Sequence, residues 1–137
     1  MGQQQLLLLV LGMVIVGIAV VAGIQAFSEG KAKADRDAAV SDAMRLISDI
    51  QAWKLKPSAF GGGANANGFT GVSFSAIGIT DVTQDGKYKT VNGCYELTGG
   101  TSATLTIYAV TNGSCSDTIA TVTISGTTVN DIAWQYK

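Results

Sequence analysis

Leu6 to Ile24 reads LLLLVLGMVIVGIAVVAGI, nineteen consecutive residues without a charged or polar side chain. A helix of that length crosses about 30 Å of hydrocarbon, so the stretch satisfies the requirement for a transmembrane span. Its apolar character runs all the way round. No face suits water, and such a helix belongs in lipid or inside a packed assembly. The flank before it, Met1-Gly2-Gln3-Gln4-Gln5, carries no basic residue. A secretory signal normally does, so the segment reads as retained, although Ala22-Gly23 and Ala26 are small enough to suit a signal peptidase.

Beyond Ile24 the helical pattern changes character without stopping. Lys31, Lys33, Asp35, Arg36 and Asp37 are polar, and then Val40, Ala43, Met44, Ile47 and Ile50 recur at three- and four-residue spacing. That is the pattern of an amphipathic helix. Alanines at 32, 34, 38 and 39 favour continuation, and Pro57 is the first proline. The residue before a proline disfavours α geometry, so the helix is expected to end near Lys56. One helix from about Gln5 to Leu55 would be roughly 75 Å long. Gly12, Gly17, Gly23 and Gly30 are its weakest points.

Gly61 to Gly68 (GGGANANG) reads as a flexible connector with nothing apolar to bury. It lacks the preceding strand, following helix and lysine of a phosphate-binding loop. After it the chain turns to β. Thr104–Val110 (TLTIYAV) and Thr118–Ser125 (TIATVTIS) alternate and are rich in β-branched residues, with Asn112-Gly113 between them. Thr127–Tyr136 reads as a third run, Cys94–Thr98 as a shorter strand and Lys87–Val91 as a further one. The expected topology is an antiparallel meander of four or five strands. Leu105, Ile107, Ala109, Ile119, Thr121 or its neighbours, Ile132 and Trp134 make its apolar face. The 40–54 helical stretch is the expected cover.

The fold class is therefore α+β: a long N-terminal helix, apolar then amphipathic, packed on a small C-terminal antiparallel sheet. Residues 1–27 form the apolar helix and 28–56 its amphipathic continuation. Residues 57–87 are the Gly/Asn-rich connector and irregular region, and 88–137 the β region.

Composition narrows the function. Charged residues make up 14% of the 137, against roughly 25% in ordinary soluble domains. Nine basic residues against ten acidic ones leave no broad phosphate-binding surface, so nucleic acid is not an expected partner. Histidine is absent, which removes the usual general base and the commonest metal ligand. Asp81, Asp85, Glu96, Asp117 and Asp131 are scattered, and Asp81 and Asp85 lack the carboxylate density of a calcium loop. An enzyme is not expected, nor a cofactor or metal.

Cys94 and Cys115 suit a single disulfide, closing a loop worth about 3 kcal/mol in the chain-entropy description and implying an oxidising compartment; two buried thiols are the alternative. Asn112-Gly113-Ser114 is both a hairpin turn and an N-glycosylation acceptor pattern. Serines and threonines between Thr98 and Thr128 could carry O-linked sugar, though β propensity explains them equally well.

An apolar N-terminal helix (MGQQQLLLLVLGMVIVGIAVVAGIQAF), an amphipathic continuation and a C-terminal sheet with one disulfide resemble the type IV pilin superfamily. The resemblance rests on residues 1–56, with residues 1–27 as the residue-level match, and on architecture beyond that. It implies a subunit held in the membrane, then passed by inner-membrane assembly machinery into an extracellular filament. In such a filament the apolar helices bundle and the β region faces outward. Gln5 falls where the family usually carries a glutamate that registers neighbouring subunits. It can accept a hydrogen bond from an ammonium group but brings no charge. Gly2 is the glycine available to a prepilin-type peptidase, without the usual basic leader.

The residues expected to pack in the filament core are Leu6, Leu9, Gly12, Met13, Val16, Gly17, Val20, Gly23 and Ile24, the small ones allowing close helix approach. The expected partner is the chain itself, in a helical homopolymer. A surface or cell receptor, and with it a role in adhesion, is the further expectation. The alternatives are a monomeric membrane-anchored adhesin or binding module, and a minor pseudopilin of a secretion or uptake machine. Electron conduction lacks support: no aromatic precedes Phe27 and no haem-attachment motif occurs.

Overall fold

Uninterrupted helix-forming sequence up to Pro57 gives α1, Gly2–Leu55, in a computed structural model that describes residues 2–137. Readings that involve Met1 lie outside the described residues. Helical geometry continues through Gly12, Gly17, Gly23 and Gly30 and ends one residue short of Lys56. The chain divides into two compact units, one ending at Ala34 and the other Asp35–Lys137.

The second unit holds the core. Five strands follow α1: β1 (Tyr88–Lys89), β2 (Cys94–Thr98), β3 (Ala103–Thr111), β4 (Ser114–Ile124) and β5 (Ile132–Tyr136). Every neighbouring pair is antiparallel and the spatial order equals the sequence order, the meander expected. The helix of this unit buries Ala39, Ala43, Leu46, Ile47, Ile50 and Trp53 in one cluster with Tyr95, Leu105, Ile107, Val122 and Ile124 of the sheet. The chain is thus an α+β fold with the amphipathic helix as cover.

Several details differ from the expectations, each for a physical reason. The buried helical stripe runs through Ala39, Leu46 and Trp53, whereas Val40 is half-buried and Met44 is 54% exposed. Small residues decide this phase. A Cβ on Gly93 would lie 3.2 Å from the Ala39 Cβ, so helix and sheet approach where neither side has bulk. On β4 the inward residues are Ala120, Val122 and Ile124, with Thr121 turned to the other face. Ile119 is buried as well, because the register shift between Ile107 and Tyr108 leaves it as an extra residue beside Ala120.

The third expected run is shorter than Thr127–Tyr136. Thr128 and Asp131 form a capping box around a 3₁₀ turn, Val129–Asp131, before β5 begins. Lys87–Val91 contracts likewise to Tyr88–Lys89.

The glycine-rich stretch is held more closely than a free connector. Gly63 is buried, its N–H donates to the Trp53 carbonyl (2.8 Å), and a side chain there would collide with the Trp53 ring. The Lys54 ammonium donates to the carbonyls of Gly63 (2.9 Å) and Ala66 (2.7 Å). Just beyond, Phe69, Val72 and Phe74 enter the core, so the irregular region supplies part of it.

Candidate functional site

The first unit is the candidate site, and its character follows from its side chains. Every large apolar side chain from Leu6 to Phe27 is more than half exposed, from 51% at Leu11 to 75% at Phe27. A chain alone in water would expose apolar surface far beyond the roughly few hundred Å² that soluble monomers tolerate. By length and composition α1 is able to cross a membrane.

At 100° per residue, Leu6, Leu9, Gly12, Met13, Val16, Gly17, Val20, Gly23 and Ile24 fall within an arc of roughly 140° on one side of α1. The opposite side carries Leu8, Leu11 and Ile15, so the helix is apolar on both. A Cβ at Gly12, Gly17 or Gly23 would meet nothing within 4 Å. Mid-helix glycine costs about 0.5–1 kcal/mol relative to alanine, and packing within the chain offers no offset at these three positions. Gln5 is exposed on the helix just before the apolar run, and Gly2 is the first residue of α1.

In the second unit Cys94 and Cys115 are joined, with Cα atoms 5.8 Å apart. Cys94 opens β2 and Cys115 is the second residue of β4, and these strands flank β3. Register shifts at Ile107/Tyr108 and Ala109/Val110 distort the hairpin end, and there β4 comes within reach of β2. Asn112 (φ 51°) and Gly113 (φ 79°) form the β3–β4 turn, both in the left-handed region that a two-residue hairpin needs. Asn112 is exposed at its tip, and the Lys89 ammonium donates to the Gly113 carbonyl.

Among the described residues, three titratable groups are perturbed. Burial pushes the Tyr95 phenol up to about 12, and its hydroxyl donates to the Ala39 carbonyl (3.1 Å). The Tyr108 phenol is raised chiefly because its hydroxyl donates to the Glu96 carboxylate (2.6 Å); the Lys87 ammonium sits 4.1 Å from the same ring's centre. The Asp131 carboxylate is held below its usual range by the Thr128 hydroxyl (2.6 Å) and N–H (3.0 Å). Among the described residues, no group of three or more Cys, Asp or Glu side chains is placed to hold a metal ion.

Sequence reasoning missed the polar ties that seat the helix. Asn92 donates to the Asp42 carboxylate (2.8 Å), and Gln51 donates to the carbonyls of Gly126 and Thr128 (3.2 Å each). Long-range side-chain hydrogen bonds leave no periodic signal. Phe69, Val72 and Phe74 did leave one, as apolar residues inside a turn-rich region.

Comparison with protein families, curated proteins and solved structures gives no match. What is shown is a long apolar N-terminal helix and a disulfide-closed antiparallel sheet covered by an amphipathic helix, an arrangement compatible with a pilin-like fold.

Proposed function

We propose that this chain is the structural subunit of an extracellular, type IV pilus-like filament. The exposure of the whole apolar surface between Leu6 and Phe27, in a chain whose second unit is fully folded, carries the reading. In the membrane this helix has lipid neighbours. In a bundle of identical helices it has copies of itself, so a subunit leaves lipid without wetting its apolar area. Burial at about 25 cal/mol per Å² contributes tens of kcal/mol gross before ordering costs. Gly12, Gly17 and Gly23, which the chain's own packing does not require, allow neighbouring helices to approach closely. Repetition of one head-to-tail contact that does not close gives a helical polymer. The β region coats it and meets the surroundings, and no catalytic step is involved.

Negative-stain microscopy of material sheared from producing cells tests this reading: filaments of uniform width built from this chain are expected. Detergent-soluble monomers alone would instead identify a membrane-anchored binding module. Gly17→Asp places a charge in the bundle and is expected to abolish filaments while the disulfide-closed β unit stays folded by circular dichroism. Normal filaments from that variant would end the bundle hypothesis.

A further inference from the structure

The two edges of the sheet are built differently. β1 is two residues long, includes Lys89, and is met on its outer side by a bridge between Val82 and Tyr88. Shortness, charge and a covering segment are the usual defences of an edge. β5 is less defended: Ile132-Ala133-Trp134-Gln135-Tyr136 contains no charge and no proline, and pairs with β4 without a register shift. Among the described residues it has no strand or bridge on its outer side beyond the turn that holds the Ile132 N–H.

The orientation of its backbone follows from two bonds that bracket it. Ser125 N–H donates to the Asp131 carbonyl (2.9 Å) and Lys137 N–H to the Ile119 carbonyl (3.0 Å). Bonded and non-bonded pairs alternate along an antiparallel ladder, so Ala133 and Gln135 bond to β4. Ile132, Trp134 and Tyr136 therefore direct their N–H and C=O groups away from it; of these, the Ile132 N–H already donates to the Val129 carbonyl of the preceding turn. Tyr136 is 65% exposed and stacks on Trp134, ring centres 5.7 Å apart.

We propose that the β5 edge pairs antiparallel with the β5 edge of a second copy of this chain, centred on Trp134, joining two sheets into one. This register uses every outward group except the Ile132 N–H, which the Val129 carbonyl holds. Trp134 lies opposite its own counterpart and exchanges both bonds with it, and Ile132 lies opposite Tyr136, whose N–H donates to the Ile132 carbonyl. The facing side chains are aromatic–aromatic and aromatic–β-branched pairs, which favour strand association. The same register brings Asp131 of each copy, its carboxylate held by Thr128, to the end where Lys137 of the other lies, so opposite charges are neighbours at both ends. Any other register of correct parity leaves an outward residue of β5 without a β5 partner and separates those charges. The contact is two-fold and closes on itself, unlike a head-to-tail contact that extends a polymer. It stands independently of the filament reading; between filaments it would join neighbours of opposite polarity.

The test uses the full chain in detergent. Ala133 of one copy faces Gln135 of the other in a non-bonded pair, with Cα atoms about 4.5 Å apart, within disulfide reach. Separately purified Ala133→Cys and Gln135→Cys chains are mixed, diluted to exchange and mildly oxidised. The mixture is expected to give severalfold more covalent dimer than either chain alone. Tyr136→Pro, which removes an outward N–H and no bond to β4, should return the mixture to the single-chain level with the Cys94–Cys115 bond and circular dichroism unchanged. Tyr136→Lys, which leaves the backbone intact, should lower the yield as well. Equal yields from mixture and single chains, or dimer that survives both Tyr136 variants, would overturn the pairing. Neither result bears on whether filaments form.

Discussion

Tyr95 joins packing to polar specificity in a single side chain. Its ring is fully buried in the core and its hydroxyl ends on the Ala39 carbonyl, where Gly93 lets helix and sheet come close. In the folded state the phenol ionises near 12, against about 10 in the unfolded chain. The native state then holds this proton where the unfolded state has lost it. Stability does not depend on this group's titration below pH about 10 and falls as pH rises to about 12, by about 3 kcal/mol in all. Denaturant unfolding across this range should show stability falling with pH, and more steeply in the wild type than in Tyr95→Phe. At neutral pH that variant should lose about 1 kcal/mol, the usual net value of one buried hydrogen bond. Parallel pH curves for the two proteins would contradict the assignment.

Elements differ in how openly the sequence declares them. The Cys94–Thr98 strand and the helix end before Pro57 were legible, because a turn signal or a proline marks each boundary. The helical stripe was legible in period, and Ala43, Ile47 and Ile50 are buried as expected; only its edge is turned, from Val40 and Met44 to Ala39, Leu46 and Trp53. Met44 outranks Ala39 in apolarity, yet the sheet selects Ala39 because Gly93 comes close there. Leu46→Ala should therefore destabilise the folded unit by about 2–5 kcal/mol, while Met44→Ala changes it by less than about 0.5 kcal/mol. Comparable losses for the two would return that edge to Met44. Ile119 could not be placed from alternation, since a bulge breaks period two and its position depends on the partner strand. The apolar run of the candidate site was fully legible, being a property of composition. The free β5 edge was not, because an edge is defined by what fails to pair with it.

At the scale of the whole molecule, the second unit has to stay folded wherever the first is housed. The Cys94–Cys115 bond closes a segment of 21 residues, for which the chain-entropy relation gives about 3 kcal/mol. Replacing both cysteines by alanine should lower unfolding stability by about 2–4 kcal/mol without changing the circular dichroism of the folded state. A loss below about 1 kcal/mol would mean that the meander and its helical cover suffice alone.

The identity of spatial and sequential strand order bears on kinetics. Each strand finds its neighbour in the segment just before it, so only short loops must close at each step and no strand waits for a partner from a distant part of the chain. Such a sheet can grow one ribbon at a time in the direction of synthesis. The final ribbon to join is the one whose far side remains unoccupied.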